Sequence, residues 1–202
     1  GLASGTGVEI IEPIQTRDHT ERMLKNFGAN IEIASESGKN IIQLSPSNHL
    51  NAKNYKVVGD ISSAAFLIVA AFISDSPGLE IQNVGMNPSR TGVLQALKKM
   101  GADIEVRNQR LESGEPCADL KVKKSMLRGV ELSGAIIPNS IDEIPIISIA
   151  AAFAEGETMI RDASELRVKE SDRLNAVSEG FTKLGVAHKN FEDGMSIMGS
   201  SN

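Results

Sequence analysis

The chain has 202 residues, 41% of them hydrophobic and 23% charged, with a formal net charge of −5 and a pI near 5.3, a balance that suits one large or two small globular domains with a buried core. The acidic balance, 3% aromatic content and lack of Trp argue against a nucleic-acid footprint or a base-stacking platform. A single cysteine, Cys117, excludes an intramolecular disulfide framework and points to a reducing compartment. His19, His49 and His188 are scattered without metal-ligand spacing, so no metal is expected. The first residues lack a basic segment and long apolar core of the signal-peptide kind. The apolar runs at 64–73 and 144–153 are too short to span a bilayer. A cytoplasmic, membrane-free chain is the expectation.

In chain order, residues 8–14 read as a strand ended by Pro13. Thr16-Arg17-Asp18-His19-Thr20 opens a helix with Thr16 or Asp18 as cap candidates, and Gly28 stops it. Residues 30–34 and 40–44 alternate as short strands around Ser37-Gly38, a hairpin pattern, and 48–58 is a connector leading into a strand. Gly59-Asp60-Ile61-Ser62-Ser63 starts a helix whose continuation, 64–73, is apolar on every face and is expected to be buried all round. A strand at 79–84, a loop at 85–89 and an amphipathic helix at 91–100 follow, with Gly101 as the stop. Strands are expected at 102–106 and 118–123, separated by a loop at 112–116. Pro138-Asn139-Ser140-Ile141-Asp142-Glu143 then leads into an apolar helix at 144–153 and a strand at 158–162. The last elements are a helix at 174–184, stopped by Gly185, and a closing hairpin of 186–190 with 195–198.

Three segments repeat. Met23-Leu-Lys-Asn-Phe-Gly-Ala-Asn-Ile-Glu-Ile33 matches Ala96-Leu-Lys-Lys-Met-Gly-Ala-Asp-Ile-Glu-Val106, and Gly180-Phe-Thr-Lys-Leu-Gly-Val-Ala-His188 is a weaker third copy. Both later copies carry an upstream all-apolar helix, whereas the first lacks it, as if the sequence began inside a repeat. A recurring α–β–α–β–β unit of this length predicts stacked α/β subdomains.

Two stretches carry chemistry. In Leu166-Arg167-Val168-Lys169-Glu170-Ser171-Asp172-Arg173, Ser171 or Asp172 is placed to cap the following helix, whose N-terminus favours an anion. On a helix Lys169 and Arg173 would share a face with Glu170 beside them, two cations flanking one acid/base. Such charge runs are also ordinary solvated faces. In Asn139-Ser140-Ile141-Asp142-Glu143-Ile144-Pro145, Asn139 or Ser140 is a cap candidate and both carboxylates fall in the first turn, where acids favour the helix dipole whatever their function. The apolar helix behind them would hold that turn rigidly, as a catalytic base requires.

Arg167-Val-Lys-Glu-Ser-Asp-Arg-Leu174 resembles the signature of the 5-enolpyruvylshikimate-3-phosphate synthases, shikimate-pathway enzymes inhibited by glyphosate, and Ser140-Ile-Asp-Glu-Ile-Pro145 resembles their aspartate motif. The resemblance implies a mixed α/β (α+β) fold of repeated βαβαββ-type units, the enolpyruvyl transferase fold, here incomplete. By analogy residues 1–58 finish one globular half, and 59–134 and 135–202 are two units of the other. It further implies transfer of the enolpyruvyl group of phosphoenolpyruvate to shikimate 3-phosphate by addition and elimination, without an organic cofactor. Asp142 would take the substrate hydroxyl proton, and Glu170 would exchange the proton at the enolpyruvyl carbon. Lys169 would bridge both ligands, Arg173 would hold phosphate or carboxylate, and Thr16 and Arg17 would contact the shikimate ligand. Asn87-Pro-Ser-Arg90 resembles a motif of the glyphosate-insensitive subclass, with Ser89 in place of the usual Thr; Arg90 occupies the repeat position of Arg17, which suits a structural role. The family's amino-terminal Lys-Ser and Arg contacts, its Asn-Ala-Gly-type loop and its late Asp-His-Arg segment have no counterpart here. The chain alone is therefore expected to be inactive, needing the remainder of the same enzyme to complete its cleft.

Other readings remain open at this level. The enolpyruvyl transferases acting on UDP-N-acetylglucosamine share the repeat but normally use a loop cysteine, and the surroundings of Cys117 do not resemble that loop. A non-catalytic α/β interaction module would scatter Asp142, Lys169, Glu170 and Arg173 over its surface, whereas an enzyme must bring them to one face. An RNA-processing relative fits poorly with the acidic balance.

Overall fold

The computed structural model describes residues 1–13, 16–46 and 49–200. Ile14, included in the first predicted strand, and Asn48, in the predicted connector, lie outside the described residues. The chain divides into two compact units, Gly1–Val58 with Arg110–Cys117, and Gly59–Gln109 with Ala118–Asn202.

The first unit contains β1 (Val8–Glu12), α1 (His19–Asn26), β2 (Ile31–Glu36) and β3 (Lys39–Leu44). The strands form an antiparallel sheet in the order β1-β3-β2. Period-2 alternation turns Ile31 and Ile42 toward one face, where they bury with Ala29 against Leu24 of α1 and Leu44. Ser37 and Gly38 both take positive φ, the paired left-handed geometry that matches strand twist in a two-residue hairpin.

The second unit contains two copies of the predicted repeat. The first is α2 (Ile61–Ile73), β4 (Leu79–Gly85), α3 (Gly92–Lys99), β5 (Asp103–Glu112) and β6 (Glu115–Lys123). After β7 (Glu131–Leu132), the second is α4 (Ile144–Ala152), β8 (Gly156–Ile160), α5 (Arg173–Leu184), β9 (His188–Phe191) and β10 (Gly194–Gly199). Sheet orders are β4-β6-β5 and β7-β8-β10-β9; β10 runs antiparallel to β8 and β9, and β7 runs parallel to β8. The apolar helices α2 and α4 pack together. Ile68, Leu97, Leu120, Ile147, Ile160 and Phe181 join them in one continuous core. The three stop glycines adopt positive φ of 92°, 99° and 72° at Gly28, Gly101 and Gly185, a conformation that needs no Cβ and reverses the chain after each helix.

Several local expectations give way. The helix expected to be buried all round exposes Phe66 by 60% and Leu67 by 53%, because α4 and β4 cover α2 along part of its circumference. The loop expected at 112–116 is a tight turn at Ser113-Gly114, both at positive φ, so β5 and β6 run on to meet it; its tip, Arg110–Cys117, clusters with the first unit. Within that unit Lys56 donates its N–H to Ser113 Oγ at 2.9 Å and pairs with Glu112 at 3.3 Å. His19 Nδ1 lies 2.9 Å from the buried Glu115 carboxylate. The connector gains no strand at its end; Gly59 makes only an isolated bridge to Val84.

Candidate active site

Asp142 is set by a break in helical winding. Residues Pro138–Glu143 form a 3-10 turn with Ser140 at a non-helical φ of −135°, and α4 begins only at Ile144. The carboxylates therefore precede the helix rather than sit in its first turn, and neither Asn139 nor Ser140 caps it. Ser140 instead donates its hydroxyl to the carbonyl of Ile136 at 2.6 Å. Two adjacent acids take opposite orientations as a result. Asp142 is 27% exposed at its side chain, whereas Glu143 is 2% exposed.

The second motif is likewise looser than a helix. After the short 3-10 turn Ser164–Arg167, α5 starts at Arg173. Asp172 takes an extended backbone (φ −72°, ψ 91°) and its carboxylate accepts the Asn175 N–H at 2.9 Å. That hydrogen bond holds its carboxyl below the usual range despite the cost of desolvation, with Arg167 adding to the effect. The expected helical i,i+4 relation of Lys169 and Arg173 is thus absent, since Lys169 lies outside the helix. The anion at the start of α5 is the chain's own cap.

Arg173 gathers the site. Its Nε and Nη2 donate to the two carboxylate oxygens of Glu170 at 2.9 and 3.0 Å, a bidentate fork, and its Nη1 reaches Asp142 Oδ1 at 3.1 Å. Asp142, Arg173 and Glu170, drawn from the turn before α4 and the loop into α5, form one chain of charge. The double hydrogen bond from Arg173 is the main reason the Glu170 carboxyl is held below the ordinary carboxylate range. The same contacts raise the Arg173 guanidinium above its ordinary value. Lys169 is held by an ion pair with Glu165 on the same loop.

Thr16 and Arg17 belong to the first unit. Thr16 donates its hydroxyl to Glu12 Oε1 at 2.6 Å, and Arg17 is exposed beside Asp18, which pairs with Arg22 at 2.8 Å. Beside Arg173 an apolar groove of about 400 Å³ runs between α4 and α5 over Ile149, Val177, Phe181 and Leu184; its lining does not suit an anion. Among the described residues, no group of three or more His, Cys, Asp or Glu is arranged to hold a metal ion. No described helix is long and apolar enough to cross a membrane.

Two further arginines build this region: Arg167, to which sequence reasoning gave no role, and Arg90, for which it expected only a structural one. Arg167 donates Nε to the Glu192 carbonyl at 2.7 Å, Nη1 to Asp172 at 2.9 Å, and Nη2 to Asn190 at 3.3 Å and to the Phe191 carbonyl. It fastens the motif to the β9–β10 hairpin, a tertiary role that a linear charge pattern does not signal. Arg90 bonds Ser62 and approaches both Asp60 and Glu143 at 3.5 Å; its repeat position was the only hint of this role.

The EPSP synthase (3-phosphoshikimate 1-carboxyvinyltransferase) family model matches residues 2–202. The chain is 50% identical over 201 residues to a 3-phosphoshikimate 1-carboxyvinyltransferase of Synechocystis sp., covering all of this chain and 44% of that protein. It is 49% identical over 199 residues to one of Desulforudis audaxviator, covering 98% and 46%. Among solved structures, EPSP synthase from Acinetobacter baumannii superposes with a TM-score of 0.91 at 43% identity, over all of this chain and 45% of that one. The enolpyruvyl transferase NikO from Streptomyces tendae shares the fold, with a TM-score of 0.67 at 18% identity over 96% of this chain. The chain spans a little under half the length of the relatives it matches.

Proposed function

The chain belongs to the EPSP synthase family, and from that membership we propose that it supplies part of the cleft of an enzyme that transfers the enolpyruvyl group of phosphoenolpyruvate to the 5-hydroxyl of shikimate 3-phosphate. Residues 1–58 would complete one globular half, and 59–134 and 135–202 would be two repeat units of the other. In the addition step the hydroxyl proton passes to Asp142, the oxygen attacks C2 of phosphoenolpyruvate, and Glu170 delivers a proton to C3. In the elimination step Glu170 takes a proton back from the methyl group, the C2–O bond to phosphate breaks, and inorganic phosphate leaves with the proton that Asp142 had taken up. Lys169 lies between the ligands, Arg173 holds phosphate or carboxylate, and Thr16 and Arg17 contact the shikimate ligand. The remainder of the enzyme supplies the other cations.

The observation that carries this reading is the Asp142–Arg173–Glu170 chain. One guanidinium holds two candidate proton carriers in place, and an arriving anionic substrate competes for that guanidinium. Loss of Arg173 donors to substrate would raise the proton affinity of Glu170 when a proton must be delivered. The test places residues 1–202 in the corresponding span of the Synechocystis relative and follows phosphate release. Asp142→Asn and Glu170→Gln are each expected to lower kcat by about 10²- to 10⁴-fold, the usual weight of a positioned acid or base, with KM little changed. Arg173→Met is expected to raise KM. Variants of Asp142 and Glu170 that keep kcat within about tenfold would remove both from the chemistry.

A further inference from the structure

The repeat places a similar pair twice. Asp60, at the start of α2, meets Arg90, just before α3; Asp142, just before α4, meets Arg173 at the start of α5. The partners are 30 and 31 residues apart in sequence. The two copies differ in what surrounds them. Arg173 and Asp142 keep about a quarter of their side-chain surface exposed, at 25% and 27%, while the Arg90 side chain is 16% exposed. The second acid on Arg90 is the nearly sealed Glu143, the immediate neighbour of Asp142. Ser62 donates its hydroxyl to Glu143 and in turn accepts from Arg90. Although the Asp60 side chain is itself 53% exposed, Arg90 and Ser62 thus grip, through the buried Glu143, the turn that carries Asp142.

We propose that Arg90, Ser62 and Glu143 are positioning residues that fix the 138–143 turn and thereby hold the Asp142 carboxylate against Arg173. Glu143 projects inward and is tied on α2 and the α3 approach, and this anchors the backbone from which Asp142 projects the other way. Gly92 tightens the same clamp. A Cβ there would fall 2.6 Å from the carbonyl oxygen of Asn139 and 2.8 Å from the N of Ser140, so the start of α3 lies directly on the turn. A sealed ion cluster adds little to stability compared with a well-packed apolar one. What it supplies is a single geometry, and a turn with a non-helical residue at Ser140 has no regular hydrogen-bond ladder of its own to define one. This role rests on reading Asp142 as the proton acceptor.

The test is read in the 202-residue chain without catalysis, as the titration midpoint of the Asp142 carboxyl carbon by ¹³C NMR. The charged groups around Asp142 are Arg173 and Glu170 on one side and, through the turn, Glu143 with Arg90 and Asp60 on the other. Arg173→Met should raise the midpoint, since a contacting cation is lost; no shift would mean the Asp142–Arg173 contact does not form in solution, which overturns the proposal. Glu143→Gln separates the remaining possibilities by sign. Removing a neighbouring negative charge alone lowers the Asp142 midpoint, whereas a turn released from its anchor loosens the Arg173 contact and raises it. A rise of about half a pH unit or more is expected, within the range that an opposite charge at contact commands; a fall or no change overturns the proposal. Ser62→Ala changes no charge and decides the matter if Glu143→Gln does not fold: a rise supports positioning, and an unmoved midpoint with only a lower Tm shows a packing role instead. The two readings separate cleanly. Loss of activity in Asp142→Asn without these shifts sinks the positioning network alone, and the shifts with Asp142→Asn still active sink the acid/base role alone.

Discussion

Arg173 is a substrate-binding candidate already occupied by its own neighbours. Its fork on Glu170 is bidentate and charge-assisted, but Glu170 is largely exposed, at 67% of its side chain, so solvent and salt screen the pair. Arg173 is the first cause of the lowered Glu170 titration, and Arg173→Met is expected to return the Glu170 midpoint toward the ordinary range of about 4 to 4.5. Inorganic phosphate added to the unmodified chain is expected to move it the same way to a smaller extent, because the anion takes part of the guanidinium. Carboxyl ¹³C NMR reads both. A Glu170 midpoint identical in the variant would show that the fork is not populated in solution.

Element starts do most of the placing. Asp60 caps α2 with its carboxylate accepting the N–H of Ser62 at 3.3 Å and of Ser63 at 2.9 Å. Burial works against its ionisation, yet the Ser63 N–H and hydroxyl, the Ser62 N–H and Arg90 outweigh that and hold its carboxyl below the usual range. The sign follows from linkage. The unfolded chain takes up the proton first as pH falls, so the contribution of this cap is complete well above pH 4 and disappears as the pH drops below about 4 toward the depressed folded value. Asp60→Ala is expected to cost about 0.5–2 kcal/mol at neutral pH, and the gap between variant and parent in thermal unfolding is expected to narrow near pH 3. A gap that stays constant across that range would show that the carboxylate is not the stabilising group.

At the scale of the molecule, each of the two repeats of the second unit contributes an apolar helix to their common core and leaves polar turns at the starts of its helices. In the second unit α2 and α4 pack on each other, which brings the turn before α4 onto α2 and α3. The chain nevertheless spans only about 45% of the relatives it resembles, and the two anionic substrates proposed for the whole enzyme would demand more positive charge than one Arg–Lys pair offset by three acids can offer. The 202-residue chain by itself is accordingly expected to release no phosphate from phosphoenolpyruvate and shikimate 3-phosphate above background. Turnover by the isolated chain would show that these residues form a sufficient cleft.

Periodicity and punctuation made most elements legible from the sequence. The apolar runs became α2 and α4, the stop glycines ended α1, α3 and α5, and Ser37-Gly38 closed a hairpin, because each depends on the backbone preferences of neighbouring residues. The two motif strings likewise named the family and the residues that meet at Arg173. Side-chain direction was not legible. Whether Asp142 or Glu143 faces out depends on a non-helical residue two positions before Asp142; Lys169 stays outside the helix because Asp172 caps it and winding begins only at Arg173; and Phe66 is exposed because of where α4 lies. Arg90 reaches partners 28 to 53 residues away and Arg167 fastens to a hairpin 23 to 25 residues away, and no local pattern encodes such partners. Local chemistry was set by the sequence, while convergence of charge was decided by packing, because only the folded core brings one repeat's helix starts against the next.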